Sequence, residues 1–240
     1  MGKVIAVSSG KGGTGKTTTV AALASCLAAL GYRTLAADFD AGLRNLDIAL
    51  GMTDFAVYDL ADVLDGTSPL DEVAAEHPKI PGLFFLPAPS FLSPEEIDPA
   101  KLETVIARAK ESFDFVMLDA PAGIGAGFLL AARLCDAAII VATEDAASER
   151  DASKTAEELR GAGIEDVRLI VNKTGNYKRQ KLDELADGIG VRLIGAVRSD
   201  REVPFAADEE TALVLHSGKG AARDYLDIAR RLLGENIPLK

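Results

Sequence analysis

The chain has 240 residues, 48% of them apolar and 26% charged, with a formal net charge of −11 at neutral pH. That length and apolar content suit one α/β domain, and with Trp absent and aromatics at 5% its core is aliphatic. The negative charge argues against nonspecific binding to nucleic acid or anionic lipid, the two cysteines lie far apart with no CxxC to suggest a zinc or iron–sulfur centre, and no run reaches the ~18–20 apolar residues of a membrane helix.

Met1-Gly2-Lys3 leads directly into an apolar run that ends in a glycine loop rather than a cleavage site, so the protein is expected to be soluble and cytoplasmic. That run, residues 4–7, lacks alternation, which marks a strand buried on both faces. A helix is expected over 17–30, then a strand over 34–37. Six prolines between residues 77 and 99 resemble a linker, but Leu83-Phe84-Phe85-Leu86 among them reads as a buried strand. A helix over 100–112 and strands over 113–118 and 137–141 follow, then a helix over 148–162, a strand over 169–171, a helix over 181–188, a strand over 193–197 and a last helix over 221–233. Gly31, Gly161, Gly163 and Gly234 fall where helix C-terminal caps are expected. The final helix carries Ala222, Leu226, Ala229 and Leu233 on one stripe and is expected to pack on the sheet. The basic run Lys178-Arg179-Gln180-Lys181 reads as a solvated helix start, and Cys26 and Cys135 as buried, reduced thiols. Alternating strands and helices predict a single doubly wound α/β domain over 1–240, with a mostly parallel sheet and helices on both faces.

Gly10-Lys11-Gly12-Gly13-Thr14-Gly15-Lys16-Thr17, followed by Thr18, satisfies G-x-x-x-x-G-K-[ST] between the first strand and the first helix, the pattern of a P-loop NTPase. Glycines let backbone N–H groups turn inward onto phosphate oxygens, and the following helix presents its positive end to the same anion. Lys16 is expected to reach the β- and γ-phosphates of ATP or ADP, and Thr17 to ligate Mg²⁺. Asp119 ends the run Phe115-Val116-Met117-Leu118, where a Walker B carboxylate would meet the magnesium's water shell. Gly123, four residues on, could offer its N–H to the γ-phosphate. Asp38 and Asp40 end the second strand on one side of it; one could position the attacking water and the other support the metal.

The form K-G-G-x-G-K-[ST] is the deviant Walker A signature. Together with Asp38-Phe39-Asp40, Gly42-Leu43-Arg44-Asn45-Leu46-Asp47, Leu86-Pro87-Ala88, Asp119-Ala120-Pro121-Ala122-Gly123-Ile124 and Val171-Asn172, it resembles the MinD branch of the MinD/ParA family over nearly the whole chain. The resemblance implies a slow, partner-stimulated ATPase that dimerises when ATP is bound and acts in placing the division septum. It makes Lys11 a lysine that crosses to the partner's nucleotide, Asp40 the water-activating carboxylate, Asp38 a neighbour of Mg²⁺ and Asn172 the reader of the adenine edge. Division-inhibitor and activator or anchor proteins would be its partners.

Two segments depart from the family pattern. The family continues into an amphipathic membrane helix, whereas Glu235-Asn236-Ile237-Pro238-Leu239-Lys240 cannot build one, so membrane attachment is expected, if at all, through a partner. Residues 208–214 replace a segment that more often carries Gly and Pro. A ParA-like partitioning ATPase would show a basic face for DNA, which the net charge and residues 42–47 argue against. An iron–sulfur carrier would need converging cysteines. A regulator of flagellar placement shares the same motifs and stays open.

Overall fold

A computed structural model describes residues 1–40, 45–55, 57–89, 93–175 and 178–239. Residues 42–44 of the family-like segment lie outside these. The elements run β1 (Lys3–Ser8), α1 (Lys16–Ala29), β2 (Thr34–Asp38), α2 (Leu46–Leu50), α3 (Leu60–Asp65), α4 (Leu70–Val73), β3 (Ala75–Glu76), β4 (Leu83–Leu86), α5 (Pro99–Ser112) and β5 (Phe115–Asp119). They continue through α6 (Ala126–Leu134), β6 (Ala137–Ala142), α7 (Ala146–Gly161), β7 (Val167–Thr174), α8 (Arg179–Ile189), β8 (Arg192–Arg198), α9 (Glu202–Asp208), α10 (Leu213–His216) and α11 (Gly220–Leu232).

The strands form one eight-stranded sheet in the order β3-β4-β2-β5-β1-β6-β7-β8. Every pairing is parallel except β3 with β4. The unalternated strand runs now have a physical cause. Val4, Ala6, Leu35, Val116 and Ile140 face one core with α5, α6 and α7. Ile5, Val7, Ala36, Met117 and Ile139 face a second core with α1 and α11. Both faces are apolar because helices cover both. β1 lies between β5 and β6, so the chain winds outward from it in both directions. The crevice at that switch point opens at the carboxyl ends of the strands.

α1 is buried along most of its length, Lys16, Thr19 and Ser25 included, which an Ala-rich helix allows by letting β-strands and α11 approach closely. The fully buried Tyr225 of α11 meets it through a hydroxyl pair, Oη to Thr19 Oγ1 at 3.1 Å. α11 packs on the sheet, as its stripe predicts, over Gly195 of β8. A Cβ there would sit 2.3 Å from Ile228 Cγ1. At the sheet's edge, side chains of α11 take groups of β8: Arg198 N donates to Asp224 Oδ2 (3.1 Å) and Arg231 Nη1 to Ile194 O (3.2 Å).

Gly31, Gly163 and Gly234 take left-handed φ values of 93°, 89° and 86° just past helix ends, as expected. Gly161 does not cap; it is the last helical residue of α7, because the left-handed turn comes two residues later. β5 starts at Phe115 rather than 113, since Phe113 still donates its N–H to Ala109 O of α5. Cys26 and Cys135 are buried free thiols, pushed up to about 12 and about 11 by desolvation. Among the described residues no helix is long and apolar enough to cross a membrane.

Gly195→Ala should overpack the β8–α11 contact and cost about 1–3 kcal/mol, read as a lowered midpoint in urea unfolding with an unchanged slope.

Candidate active site

The phosphate-binding motif is the loop from Ser9 to Gly15 that joins β1 to α1. Gly13 and Gly15 hold it in left-handed conformations, φ 79° and 92°, which L side chains rarely adopt. Gly15 is required twice over, because a Cβ there would lie 2.3 Å from Asn172 Nδ2. Gly10 lets the loop pass α7, where a Cβ would lie 2.5 Å from Asp151 Cβ. At Gly12 and Gly13 an added Cβ meets nothing, so the loop leaves an open cradle. α1 starts at Gly15 with no side-chain cap and no acidic residue in its first turn. Its first N–H groups therefore face the cradle without a partner in the helix. The cradle is a pocket of 190 Å³ whose walls include Ser9, Gly12, Thr14, Lys16, Asp40 and Asn45. Thr14 Oγ1 is buried there with no hydrogen-bond partner among the described residues.

Strand register brings the charges together. Asp119 of β5 is level with Asp38 of β2 and with Val7 of β1. Lys16 Nζ reaches Asp119 Oδ1 at 2.8 Å, and the two side chains are only 7% and 1% exposed. The Thr17 side chain lies beside Asp119 as well. Burial pushes the Asp119 carboxyl up and the Lys16 ammonium pulls it back. Asp38 has no such cation. Its Oδ1 accepts from Asp40 N (2.8 Å) and its Oδ2 from Leu46 N (3.4 Å). Burial, then the charge of Asp119, push it up to about 7. One ammonium thus serves two buried carboxylates, a deficit that a divalent cation would fill.

Among the described residues no three His, Cys, Asp or Glu side chains converge into a ready metal cluster. Magnesium usually takes one or two protein oxygens and completes its shell with phosphates and waters. The all-oxygen set of Thr17, Asp38, Asp40 and Asp119, beside an open anion cradle, fits that mode.

The other expected residues are placed as follows. Lys11 Nζ bonds Asp145 at 2.8 and 3.0 Å. Asp145 caps α7 through Ser148 N (3.0 Å) and accepts from Thr143 Oγ1 (2.6 Å), and these donors hold its carboxyl well below the usual range. The Gly123 N–H is engaged by Ser9 O at 2.9 Å. Asn172 Nδ2 donates to Thr14 O at 2.8 Å, and its Oδ1 accepts from Lys173 N at 2.8 Å. Its carboxamide is therefore tied to the phosphate loop, and it also lines a second cavity.

That cavity, of 620 Å³, lies beyond Gly15 and Thr18 and is closed by Pro204, Thr211 and Leu213 of the segment carrying α9 and α10. Residues 208–214, where the family pattern breaks, thus form one wall of it. Sequence reasoning missed Asp145 and Lys173. The Asp-x-x-Ser spacing of a helix N-cap was a legible signal for Asp145. Lys173, with left-handed φ 56° and Nζ bonded to Gly13 O at 2.7 Å, had no local signal.

Asp38 binds its proton more tightly folded than unfolded. Its contribution is therefore full below about pH 4 and is lost as pH rises through about 7. Asp38→Asn should remove that loss: the nucleotide-free variant gains about 1–3 kcal/mol over wild type at pH 8 and nothing at pH 4 in thermal unfolding. Gly15→Ala should weaken Mg-ADP binding by about ten-fold or more in calorimetry, through backbone strain and collision with Asn172.

Residues 5–214 match the CobQ/CobB/MinD/ParA nucleotide-binding domain. The chain is 35% identical over 247 residues to the septum site-determining protein MinD of Bacillus subtilis, covering 100% of this chain and 92% of that protein. It is 36% identical over 246 residues to MinD of Synechocystis, covering 99% and 92%. Its fold superposes on a chain of the MinC:MinD cell division complex of Aquifex aeolicus with a TM-score of 0.91 at 33% identity, covering 99% and 98%. It superposes on the Pyrococcus horikoshii septum site-determining protein MinD, complexed with Mg-ADP, with a TM-score of 0.85 at 27% identity, covering 99% and 100%. Matched by the family model over residues 5–214 and by relatives of 35% and 36% identity along its length, the chain belongs to the MinD/ParA family of nucleotide-binding ATPases.

Proposed function

We propose that residues 1–240 act as one Mg-dependent ATPase domain whose ATP-bound dimer is a switch in placing the division septum. The observation that carries this reading is the pairing of a complete phosphate cradle with a lysine, Lys11, that bonds Asp145 rather than any group of the cradle. A lysine so placed is free of duties toward its own subunit's phosphates. It suits a crossing to a partner's transferring phosphoryl group, as an arginine finger would.

In this reading Lys16 exchanges Asp119 for the β- and γ-phosphate oxygens, with which it forms stronger charge-assisted bonds. The backbone N–H groups of Gly12 through Thr18 hold the remaining oxygens, and Gly10 gives the loop room to turn. Thr17 and Asp119 would hold the cation, Asp38 beside them; Mg²⁺ supplies neutralisation of phosphate charge there. Asp40, which lines the cradle with Asn45, would orient a water for in-line attack on the γ-phosphoryl. Gly123 would trade Ser9 O for a γ-phosphate oxygen, and Asn172 would keep the loop in register while its cavity receives the adenine.

The Aquifex relative seen with MinC supports a division inhibitor as one partner; an activator or anchor protein would be another. The net charge of −11 supports no role in DNA binding. The place of action is cytoplasmic.

The test is the solution mass of Asp40→Ala, which should bind ATP without turning it over. Mg-ATP should double its mass relative to ADP, and adding Lys11→Ala should restore the monomer with ATP still bound. Equal masses in the two nucleotides would overturn the switch.

A further inference from the structure

α2 is a five-residue helix held at both ends by groups outside it. At its start, Leu46 N donates to the Asp38 carboxylate. At its end, Leu50 O accepts from His77 Nε2 at 3.0 Å. His77 Nδ1 accepts from Lys79 N and Ile80 N, which fixes the proton on Nε2. Leu46 and Leu50 are fully buried, so the helix moves as a unit or not at all. It is a strut of roughly 7–8 Å running from a metal-side carboxylate toward the far rim of the larger cavity.

Glu210 stands at that rim. Its φ of 46° is left-handed, a conformation a non-glycine residue keeps only where its surroundings impose it. Two contacts do so. Its carbonyl packs against Gly51, the left-handed C-cap of α2, so closely that a Cβ on Gly51 would lie 2.4 Å from that oxygen. Its carboxylate accepts a hydrogen bond from Thr53 Oγ1 at 2.6 Å. The next residue, Thr211, is a wall of the 620 Å³ cavity, as is Ala49 of α2.

We propose that Glu210 is a positioning residue: it ties the rim of the base cavity to α2, so that a base in the cavity steadies the helix that holds Asp38. This rests on the nucleotide-binding reading above and adds to it a route from base to metal-side carboxylate. No contact between Glu210 and the phosphates is involved. Its side chain is exposed and that of Thr53 half-buried, so their removal leaves both cores intact.

The experiment is amide hydrogen exchange over residues 46–52 with saturating Mg-ADP and, separately, with Mg-pyrophosphate, which fills only the phosphate cradle. In wild type, Mg-ADP should slow exchange in α2 by about five-fold more than Mg-pyrophosphate does, the worth of one such hydrogen bond. Thr53→Ala and Glu210→Ala should each abolish that difference while protection of residues 13–18 by Mg-ADP is unchanged. Glu210→Gln, which keeps an acceptor oxygen, should retain it. A difference that survives Thr53→Ala and Glu210→Ala, or that is absent in wild type, overturns the proposal alone. Absence of protection at residues 13–18 with Mg-ADP overturns the nucleotide reading and the proposal with it.

Discussion

A single buried ammonium facing two carboxylates at the ends of adjoining strands is the constraint around which this protein is arranged. Lys16 must be in α1 to reach Asp119, so the loop before it must cross the carboxyl end of β1 in one tight span. Glycines at 13 and 15 make that span. Asp38 is level with Asp119 because β2 and β5 pair in parallel register. The arrangement is incompletely neutralised inside a low-dielectric crevice, where removal of one partner from a buried pair costs about 3–5 kcal/mol. An anion at the uncapped start of α1 and a cation beside the carboxylates answer both imbalances together. Neither alone does so, which is why the ligand proposed above is a metal–polyphosphate complex.

The loop is also held from the far side of the sheet. Asn172 and Lys173, adjacent on β7, donate to the carbonyls of Thr14 and Gly13. Those two bonds point the loop's carbonyls outward to β7 and leave its N–H groups for the cradle. The same asparagine forms part of the larger cavity, which shares Gly13 and Gly15 with the phosphate cradle. Lys173 accepts a left-handed backbone to complete this tie, strain spent on loop geometry rather than on stability.

Much of this was readable beforehand, and the boundary of what was readable has physical causes. Seven strands were visible because double-sided burial writes unbroken apolar runs. The P-loop was visible because its glycines and lysine have few structural substitutes. Asp119 and Asp38 were visible as carboxylates at strand ends. The two-residue β3 and the helices α2, α4 and α10 were not seen, because four or five residues hold too little of a 3.6-residue period to register. α3 carries a legible capping box, Asp59 with Asp62, and a left-handed Gly66 at its end, but lies in a segment without a long stripe. α6 was hidden by the glycines that precede it. The engagements of Lys11 with Asp145, Asn172 with Thr14 and Gly123 with Ser9 are tertiary: each of these partners lies far off in sequence, and no local pattern names it.

The edges of the sheet carry a last consequence. β3 is two residues long and antiparallel, and β8 has backbone groups taken by Asp224 and Arg231 of α11. Side chains from a helix stand in for the ninth strand that an open edge would recruit. Edge-to-edge pairing, the route by which open sheets gather copies of themselves, is thereby opposed at both ends of this sheet. For the dimer proposed above, that leaves the face that bears the phosphate cradle, where the contents of the site would license the encounter.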